Sequence, residues 1–200
     1  MKRSVFVIGL TGSIGMGKST AAAMLREMGL PIFDADATVH KLMARGGAAV
    51  AAVEEAFPGV VADGAVSRPE LGKRVFGDAA ALRRLERILH PRVGDAERAF
   101  LAGVARSRRQ FAVRDVPLLF ETGGEKRCDA TIVVSAPAHI QRARVLARPG
   151  MTEERLQQVL SKQMPDARKR RLADYVVPSG LGRRVTREAL AAVLRDIGAR

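Results

Sequence analysis

One stretch constrains the fold of this chain more than any other. Residues 9–20 read GLTGSIGMGKST and contain a complete match to the pattern G-x-x-x-x-G-K-[ST]. The stretch follows an apolar run at 5–10, typical of a buried strand, and apolar residues then recur at helical spacing over 18–28. A strand, a glycine-rich turn and a helix in this order predict a phosphate-binding loop. The alternative is a glycine-rich turn that binds no nucleotide.

The residue types of this loop indicate its chemistry. Glycines allow backbone N–H groups to turn toward phosphate oxygens, and the start of the helix adds a favourable dipole. The Lys18 ammonium would neutralise the β- and γ-phosphates of ATP, and the Ser19 hydroxyl would bind Mg²⁺. The predicted ATP-binding residues are Gly12, Ser13, Ile14, Gly15, Met16, Gly17, Lys18, Ser19 and Thr20.

Short apolar runs alternate with helical periodicity along the rest of the chain. Besides 5–10, strands are predicted at 31–33, 111–116, 130–134 and 175–177. This alternation predicts an α/β protein with a doubly wound, parallel five-stranded sheet flanked by helices. Between the second and third strands we expect a mostly helical insertion, in which one helix ends at His90-Pro91 and a second runs from about 93 to 106.

The charge of the chain limits its partners. The 200 residues carry a formal net charge of +13, which implies a ligand rich in phosphate or carboxylate, either nucleic acid or a polyanionic small molecule. There is no Trp and a single Tyr, so the aromatic platforms of single-strand binders are missing. The lone Cys128 fits a reducing compartment, and with no signal sequence or membrane span expected, the predicted location is the cytoplasm.

Carboxylates follow two predicted strands, at the edge where open α/β sheets bind ligands. After the second strand come Asp34 and Asp36, and a carboxylate there could accept a proton from an attacking hydroxyl or orient Mg²⁺ through water. The alternative is a helix N-cap. Of the two residues we favour Asp36 as the functional one and Asp34 as a structural one. Asp115 closes the third strand, where a carboxylate reaches Mg²⁺, and Glu121 follows it.

Basic residues complete the candidates. Arg144 and Arg148 are spaced i,i+4 on one predicted helix and could stabilise a transferring phosphoryl group, although a solvated basic face is the alternative. His90 lies at a predicted helix end, where it could simply cap carbonyl groups. Farther along, Lys162 and the basic run at 168–171 are predicted to be mostly exposed.

Taken together, these residues resemble the dephospho-CoA kinase family, relatives of the nucleoside monophosphate kinases, and the resemblance covers nearly the whole chain. The phosphate-binding loop is shared by many kinases, whereas Asp-Ala-Asp, His-Pro and Pro-Leu-Leu-Phe-Glu in this order and spacing are far more specific. The resemblance is carried by 9–20, 34–36, Arg68, Leu71, Phe76, His90, Pro91, 115–121, Arg144, Arg148, Gln163, Lys169 and 173–175.

The resemblance implies a phosphotransferase that moves the γ-phosphoryl group of ATP, with Mg²⁺, to the ribose 3′-hydroxyl of dephospho-CoA, the last step of coenzyme A biosynthesis. It implies that Asp36 is the base at this hydroxyl, and that Lys18, Arg144 and Arg148 also take part in catalysis. The implied acceptor-binding residues are Asp36, Arg68, His90, Leu118 and Glu121, and the implied metal ligands are Ser19 and Asp115.

The resemblance also divides a single kinase domain, 1–200, into three parts. The core comprises 1–62, 111–137 and 173–200, the helices from about 63 to 110 bind the acceptor, and 138–172 form a lid over ATP. Three positions depart from the family pattern: Ser13 replaces a common Gly, Pro149 stands where Asp is usual, and Ser179 lies near an expected Asn.

Two other functions stay open on the residues alone. The first is another small-molecule kinase of the same fold, acting on a nucleoside or nucleotide. The second is a nucleotide-binding regulatory module that binds RNA through its basic C-terminal third, although no Asn-Lys-x-Asp motif for guanine is present. In the favoured interpretation the partners are the small molecules ATP and dephospho-CoA, with no membrane, no nucleic acid and no obligate protein partner.

Overall fold

A computed structural model describes residues 5–198, in which helices and strands alternate along most of the chain. The strands are β1 Phe6–Thr11, β2 Ile32–Asp34, β3 Val61–Ala62, β4 Ala65–Val66, β5 Phe111–Asp115, β6 Ala130–Ser135 and β7 Tyr175–Pro178. The helices are α1 Lys18–Glu27, α2 Ala35–Met43, α3 Val50–Ala56, α4 Arg68–Val75, α5 Ala79–Arg106, α6 Ala138–Leu146, α7 Glu153–Leu160, α8 Asp166–Leu172 and α9 Arg183–Gly198, with a 3-10 helix at Gly124–Arg127.

Five of the strands form one sheet in the order β2-β5-β1-β6-β7. Parallel pairing joins β1 to β5 and to β6, and joins β6 to β7. The chain leaves β1 toward β2 on one side and reaches β6 and β7 on the other, so the sheet is wound in both directions. The predicted α/β class with a parallel five-stranded sheet is therefore confirmed.

The burial of the sheet explains why these segments are strands. β1, β5 and β6 are nearly continuous buried runs, as expected of parallel strands covered by helices, and Ile8, Val113 and Ile132 are fully buried. Helices α1 and α9 contribute residues at helical spacing to the same core: Ala21, Ala22, Met24, Leu25, Leu190, Val193 and Ile197. This packing holds the end of β1 and the start of α1, and so positions the loop between them.

The chain divides into two compact units, one formed by the chain up to Phe33 and from Val104 onward, the other by Asp34–Gly103. The first unit carries the glycine-rich loop, and the second carries helices α2 to α4 and most of α5. This division does not test the functional assignment of about 63–110 to the acceptor and 138–172 to a lid. Both assignments stay predictions.

The second unit contains a hairpin that the sequence analysis does not predict. β3 and β4 pair antiparallel around Asp63 and Gly64, whose φ values of 50° and 75° are both positive. This is the backbone of a two-residue hairpin turn, which favours Asp-Gly. The strands have only two residues each, too short to show an alternating pattern. Around the hairpin, a core is formed by Met43, Ala49, Val53, Phe57, Val60, Val66, Leu71, Ala81, Leu85 and Leu89.

Helix α5 corrects the prediction that one helix ends at His90-Pro91 and a second one follows. It is a single helix of 28 residues with Pro91 inside it. An internal proline removes one helical N–H and costs about 3 kcal/mol. Pro91 cannot supply the helical N–H that would pair with the Arg87 carbonyl. In the same turn, Arg92 Nη1 donates to the Ile88 carbonyl at 2.7 Å and Arg92 Nε donates to the Ala48 carbonyl at 3.1 Å, which ties this part of the helix to a distant segment.

Burial and an N-terminal cap also hold α5 in place. Leu85 and Leu89 are buried on one side of the helix, whereas Leu82 is exposed. At the start of the helix, the Asp78 carboxylate accepts the backbone N–H groups of Ala80 and Ala81 at 2.8 and 2.9 Å. The hydrogen bond from Ala81, followed by that from Ala80, lowers the pKa of this carboxyl group below its ordinary value.

Candidate active site

The glycine-rich loop runs from the end of β1 to Lys18, the first residue of α1, as predicted. Within it the Met16 N–H donates to the Ser13 carbonyl at 3.1 Å. Gly15 and Gly17 have φ values of 75° and 86°, in the left-handed region that side chains disfavour. The loop therefore needs glycine at both positions for its backbone conformation.

Gly15 is also the point where α6 contacts the loop. A Cβ atom on this residue would lie 2.5 Å from Val145 Cγ2 and 3.0 Å from the Gln141 carbonyl oxygen. These approaches are closer than a methyl group tolerates, so α6 packs directly on the loop backbone. The sequence motif thus reflects helix packing at this position as well as turn geometry.

We expect Gly15→Ala to lower the free energy of unfolding by about 3 kcal/mol, because left-handed backbone and overpacking each cost roughly 1–2 kcal/mol. Gly29→Ala is a matched control, since Gly29 has φ 88° and nothing within 4 Å of an added Cβ. It should incur only the backbone cost, about 1 kcal/mol. Urea denaturation of both variants measures the difference, and equal losses would show that α6 does not press on the loop.

Lys18 and Asp115 meet beside the loop. Strands β1 and β5 pair with Leu10 opposite Asp115, which brings the end of β5 next to the phosphate-binding loop. Lys18 Nζ lies 2.5 Å from Asp115 Oδ1, and the two side chains are 16% and 7% exposed. The residues predicted to bind phosphate and metal are therefore brought together, and each is a counter-ion of the other.

Ser19 and Asp115 have the donor chemistry that suits Mg²⁺. This ion prefers oxygen ligands, and in nucleotide enzymes one or two protein oxygens commonly combine with phosphates and water. The Ser19 side chain is exposed at the start of α1. Within residues 5–198 there is no cluster of three or more His, Cys, Asp or Glu side chains that could hold a metal ion by themselves. The residues fit an ion that arrives with a nucleotide.

Arg144 lies against the loop and is held there by Ser179. Its Nη1 donates to Ser179 Oγ at 3.0 Å and to the Gly15 carbonyl at 3.4 Å, and its Nη2 donates to the Ser179 carbonyl at 2.7 Å. The Ser179 hydroxyl in turn donates to the Met16 carbonyl at 2.6 Å. Ser179, which departs from the family pattern, thus connects an arginine of the predicted lid to the phosphate-binding loop.

Arg148 does not share a helix with Arg144, contrary to the prediction. Helix α6 ends at Leu146, and Arg148 lies in the turn that follows, where its N–H donates to the Val145 carbonyl at 3.0 Å. Pro149 and a glycine come next, and both are poor continuations of a helix. The Arg148 side chain is exposed in this turn.

Two glutamines bind the backbone of Ile14, and the sequence analysis assigns a role to neither. Gln163 Oε1 accepts the Ile14 N–H at 3.0 Å, and Gln141 Nε2 donates to the Ile14 carbonyl at 2.8 Å. Gln163 contributes to the family resemblance, but Gln141 has no local pattern that would single it out. The N–H of Ile14, a predicted ATP-binding residue, is engaged by a side chain in this structure.

Lys169 is fully buried, in contrast to the mostly exposed basic zone around it. Its Nζ donates to the Pro117 carbonyl at 3.1 Å and lies 2.9 Å from Glu121 Oε1. Glu121 Oε1 also accepts the Met164 N–H at 2.7 Å, so this predicted acceptor-binding residue is the counter-ion of a buried lysine. Leu118, in the same loop, is 39% exposed. The remaining members of the basic zone are exposed: Lys162, Arg168, Arg170 and Arg171.

We expect Lys169→Met to lower the free energy of unfolding by about 3 kcal/mol, because it leaves the Glu121 carboxylate shielded from water without its cation. Arg170→Met, at an exposed neighbouring position, should change stability by less than about 0.5 kcal/mol. The double variant Lys169→Met/Glu121→Gln should regain part of the loss. Chemical denaturation of the three proteins tests this, and similar midpoints for the two single variants would contradict it.

The predicted residues of the second unit lie on its helices or, for Asp34, directly before one. Asp34 Oδ1 accepts the Ala37 N–H at 2.8 Å and caps α2, whereas Asp36 lies exposed in the first turn of that helix. Arg68 is the first residue of α4 and is exposed. His90 is exposed inside α5 rather than at a helix end.

The fold and the loop define a P-loop nucleotide-binding protein, in which a parallel sheet presents a phosphate-binding loop, its lysine and a strand-end carboxylate. Comparison with protein families narrows this class. The family model described as dephospho-CoA kinase matches residues 6–181. The chain therefore belongs to the dephospho-CoA kinase family.

Individual relatives and structures agree with this assignment. The dephospho-CoA kinase of Paramagnetospirillum magneticum is 69% identical over 164 residues, 82% of this chain and 77% of that protein. The dephospho-CoA kinase of Mesorhizobium japonicum is 53% identical over 96% of this chain and 97% of its own length. The crystal structure of TT1252 from Thermus thermophilus has a TM-score of 0.82 at 36% identity and covers 96% of this chain and 97% of that one.

Proposed function

We propose that this protein phosphorylates the ribose 3′-hydroxyl of dephospho-CoA with ATP, giving coenzyme A and ADP in the last step of coenzyme A biosynthesis. The observation that carries the proposal is the match to the dephospho-CoA kinase family over residues 6–181. The geometry of the loop supports it, because Lys18 lies beside Asp115 at the end of β5. Phosphoryl transfer depends on this kind of positioning and charge stabilisation more than on covalent chemistry.

ATP binds with its phosphates on the loop and the first turn of α1, residues 12–20. The start of the helix favours the negative charge, and Lys18 exchanges its contact with Asp115 for the β- and γ-phosphate oxygens. The exchange leaves the Asp115 carboxylate and the Ser19 hydroxyl to hold Mg²⁺. When bound, this ion neutralises phosphate charge.

Asp36 is the proposed base for the acceptor. Its exposed carboxylate accepts the proton of the 3′-hydroxyl while that oxygen forms a bond to the γ-phosphorus and the bond from the γ-phosphorus to the bridging oxygen of ADP breaks. Arg144 and Arg148 stabilise the charge that spreads over the transferring group. The support for Arg144 is its anchoring beside Gly15 through Ser179.

For the acceptor we propose binding roles for Asp36, Arg68, His90, Leu118 and Glu121, as the family resemblance implies. Arg68 and His90 offer exposed N–H donors for the pyrophosphate of dephospho-CoA, and Leu118 offers an exposed apolar side chain. Glu121 Oε1 is engaged by Lys169, whereas Oε2 is buried and has no partner among the described residues. In this proposal the helices of about 63–110 hold the acceptor, and 138–172 close over ATP.

The proposed reaction sets the partners and the location. Both substrates are anionic small molecules, which suits the net charge of +13, so neither nucleic acid nor a partner protein is required. Across the described part of the chain, 5–198, no helix is both long and apolar enough to cross a membrane. We place the enzyme in the cytoplasm, where the reducing conditions suit its lone Cys128.

An acceptor screen tests the proposal. ADP release is followed with purified protein, ATP and Mg²⁺ in the presence of dephospho-CoA, coenzyme A, AMP, CMP or uridine. Of these five acceptors, we expect only dephospho-CoA to support turnover. Coenzyme A should support none, because its 3′-oxygen already carries phosphate. Chelation of divalent ions should stop the reaction. Turnover with dephospho-CoA no faster than with buffer would overturn the proposal, and turnover with AMP, CMP or uridine instead would indicate a nucleotide or nucleoside kinase.

A further inference from the structure

We propose that Gln141 and Gln163 are positioning residues that clamp Ile14 and thereby set the shape of the phosphate-binding loop from the predicted lid. Ile14 lies in the middle of the loop, between the first glycine of the motif and Gly15. One glutamine binds its N–H and the other binds its carbonyl. The two peptide groups on either side of the Ile14 Cα are therefore both held by side chains from outside the loop.

The direction of each hydrogen bond is determined by the backbone. An N–H can only donate, so Gln163 must present its carbonyl oxygen, at 3.0 Å. A backbone carbonyl can only accept, so Gln141 must present its amide nitrogen, at 2.8 Å. The two glutamines thus have opposite roles, one as acceptor and one as donor. This asymmetry allows the clamp to be tested.

Each glutamine is itself held in place. Gln141 is 7% exposed on α6, the helix whose Val145 side chain touches Gly15 of the loop. Gln163 precedes Met164, whose N–H donates to Glu121 Oε1 at 2.7 Å. The same carboxylate oxygen lies 2.9 Å from Lys169 Nζ. The buried Lys169–Glu121 pair therefore anchors one end of the clamp, and the packing of α6 anchors the other.

The clamp connects loop shape to the lid. Gln141 lies on α6 and Gln163 in the segment after α7, so both belong to the predicted lid, 138–172. Rearrangement of this segment would release the backbone of Ile14, and a disordered loop would have to be reordered by the nucleotide at a cost in affinity. Because Gln163 occupies the Ile14 N–H, Ile14 contributes to ATP binding by holding the shape of the loop and not through that N–H. The pair therefore increases ATP affinity by preorganisation. This consequence rests on the proposed function only in taking ATP as the nucleotide.

The same substitution at both sites tests the clamp. Gln163→Glu keeps an acceptor for the Ile14 N–H, whereas Gln141→Glu turns a donor into an acceptor that faces a carbonyl oxygen. We expect Gln141→Glu to raise the Kd for Mg-ATP by roughly tenfold, and Gln163→Glu by less than about threefold. Titration calorimetry measures both values. Both variants add one negative charge near the loop, so equal effects would assign the loss to charge and overturn the clamp.

A second series keeps the test valid if Gln141→Glu fails to fold. Gln163→Leu removes the acceptor without adding charge, and we expect it to raise the Kd by roughly tenfold, while Gln163→Glu restores binding. Gln158→Glu, at an exposed position on α7, is the charge control and should leave the Kd unchanged. A Gln163→Leu protein that binds like wild type would overturn the clamp, as would a Gln163→Glu protein that binds no better than Gln163→Leu.

A direct readout of the loop separates this inference from the proposed function. Amide hydrogen exchange at Ile14 in the nucleotide-free protein should be faster in Gln163→Leu than in wild type and slow in Gln163→Glu. Neither exchange nor ATP binding requires the acceptor. If dephospho-CoA gave no turnover while these differences were present, the proposed function would fail and the clamp would stand. If turnover were normal and the exchange rates equal, only the clamp would fail.

Discussion

Replacing Asp36 with asparagine is expected to lower the turnover of dephospho-CoA by about 10²- to 10⁴-fold, the range associated with loss of a general base. Asparagine is nearly isosteric with aspartate but cannot accept the proton of the 3′-hydroxyl. The Kd for Mg-ATP should stay within about twofold, since the phosphate-binding loop does not include Asp36. Steady-state kinetics with saturating substrates, combined with calorimetry of ATP binding, measure both quantities.

Asp34 offers a matched control for this experiment. It lies two positions earlier in Asp-Ala-Asp, and its carboxylate caps α2 through the Ala37 N–H. Asn caps helices about as well as Asp, so Asp34→Asn should keep both stability and turnover close to those of wild type. An Asp36→Asn enzyme with near-wild-type turnover would remove Asp36 from the mechanism. A similar loss in both variants would instead implicate the charge of the Asp-Ala-Asp segment as a whole.

Replacing Lys18 with methionine is expected to have the second large effect. Turnover should fall by about 10²- to 10³-fold, because the developing charge on the γ-phosphoryl group loses a preorganised cation. The substitution also removes the ammonium from beside Asp115, whose side chain is only 7% exposed. Loss of one partner of a shielded ion pair costs about 3 kcal/mol of stability. Kinetics and chemical denaturation should therefore both detect the change.

The double variant Lys18→Met/Asp115→Asn separates the two consequences. Removing the negative charge as well should return the free energy of unfolding to within about 1 kcal/mol of wild type. Turnover should stay at the level of Lys18→Met or below, since neither the cation nor the proposed metal ligand is present. Recovery of turnover together with stability would mean that Lys18 acts only as the structural counter-ion of Asp115.

Apolar runs predict the strands of the sheet well, whereas very short strands and an internal proline are predicted poorly. All five strands of the sheet are predicted to within two residues at either end, because each is an apolar run bounded by turn residues. The hairpin of β3 and β4 is missed, because two-residue strands have no periodicity to detect. Pro91 is wrongly predicted to end a helix, because the contact of Arg92 with the Ala48 carbonyl joins residues 44 positions apart and has no local pattern.

In the candidate site, too, some features follow from local sequence patterns and others do not. The positions of Lys18 at the start of α1 and Asp115 at the end of β5 follow from local patterns, and the parallel pairing of β1 with β5 then brings them together. The burial of Lys169 is not predictable from its surroundings, since its basic neighbours are exposed. A buried lysine requires a partner, and the partner here, Glu121, belongs to a distant loop.

The phosphate-binding loop can be predicted from the chain alone, because the strand, the glycines, the lysine and the helix occupy one contiguous stretch in which each feature depends on its neighbours. The residues that surround this loop depend on how the elements pack in three dimensions. Gln163 and Gln141 reach Ile14 across 149 and 127 residues of chain. Hydrophobic periodicity predicts which side of an element is buried, but the partner of a polar group is decided when elements pack, since buried donors and acceptors must then be paired.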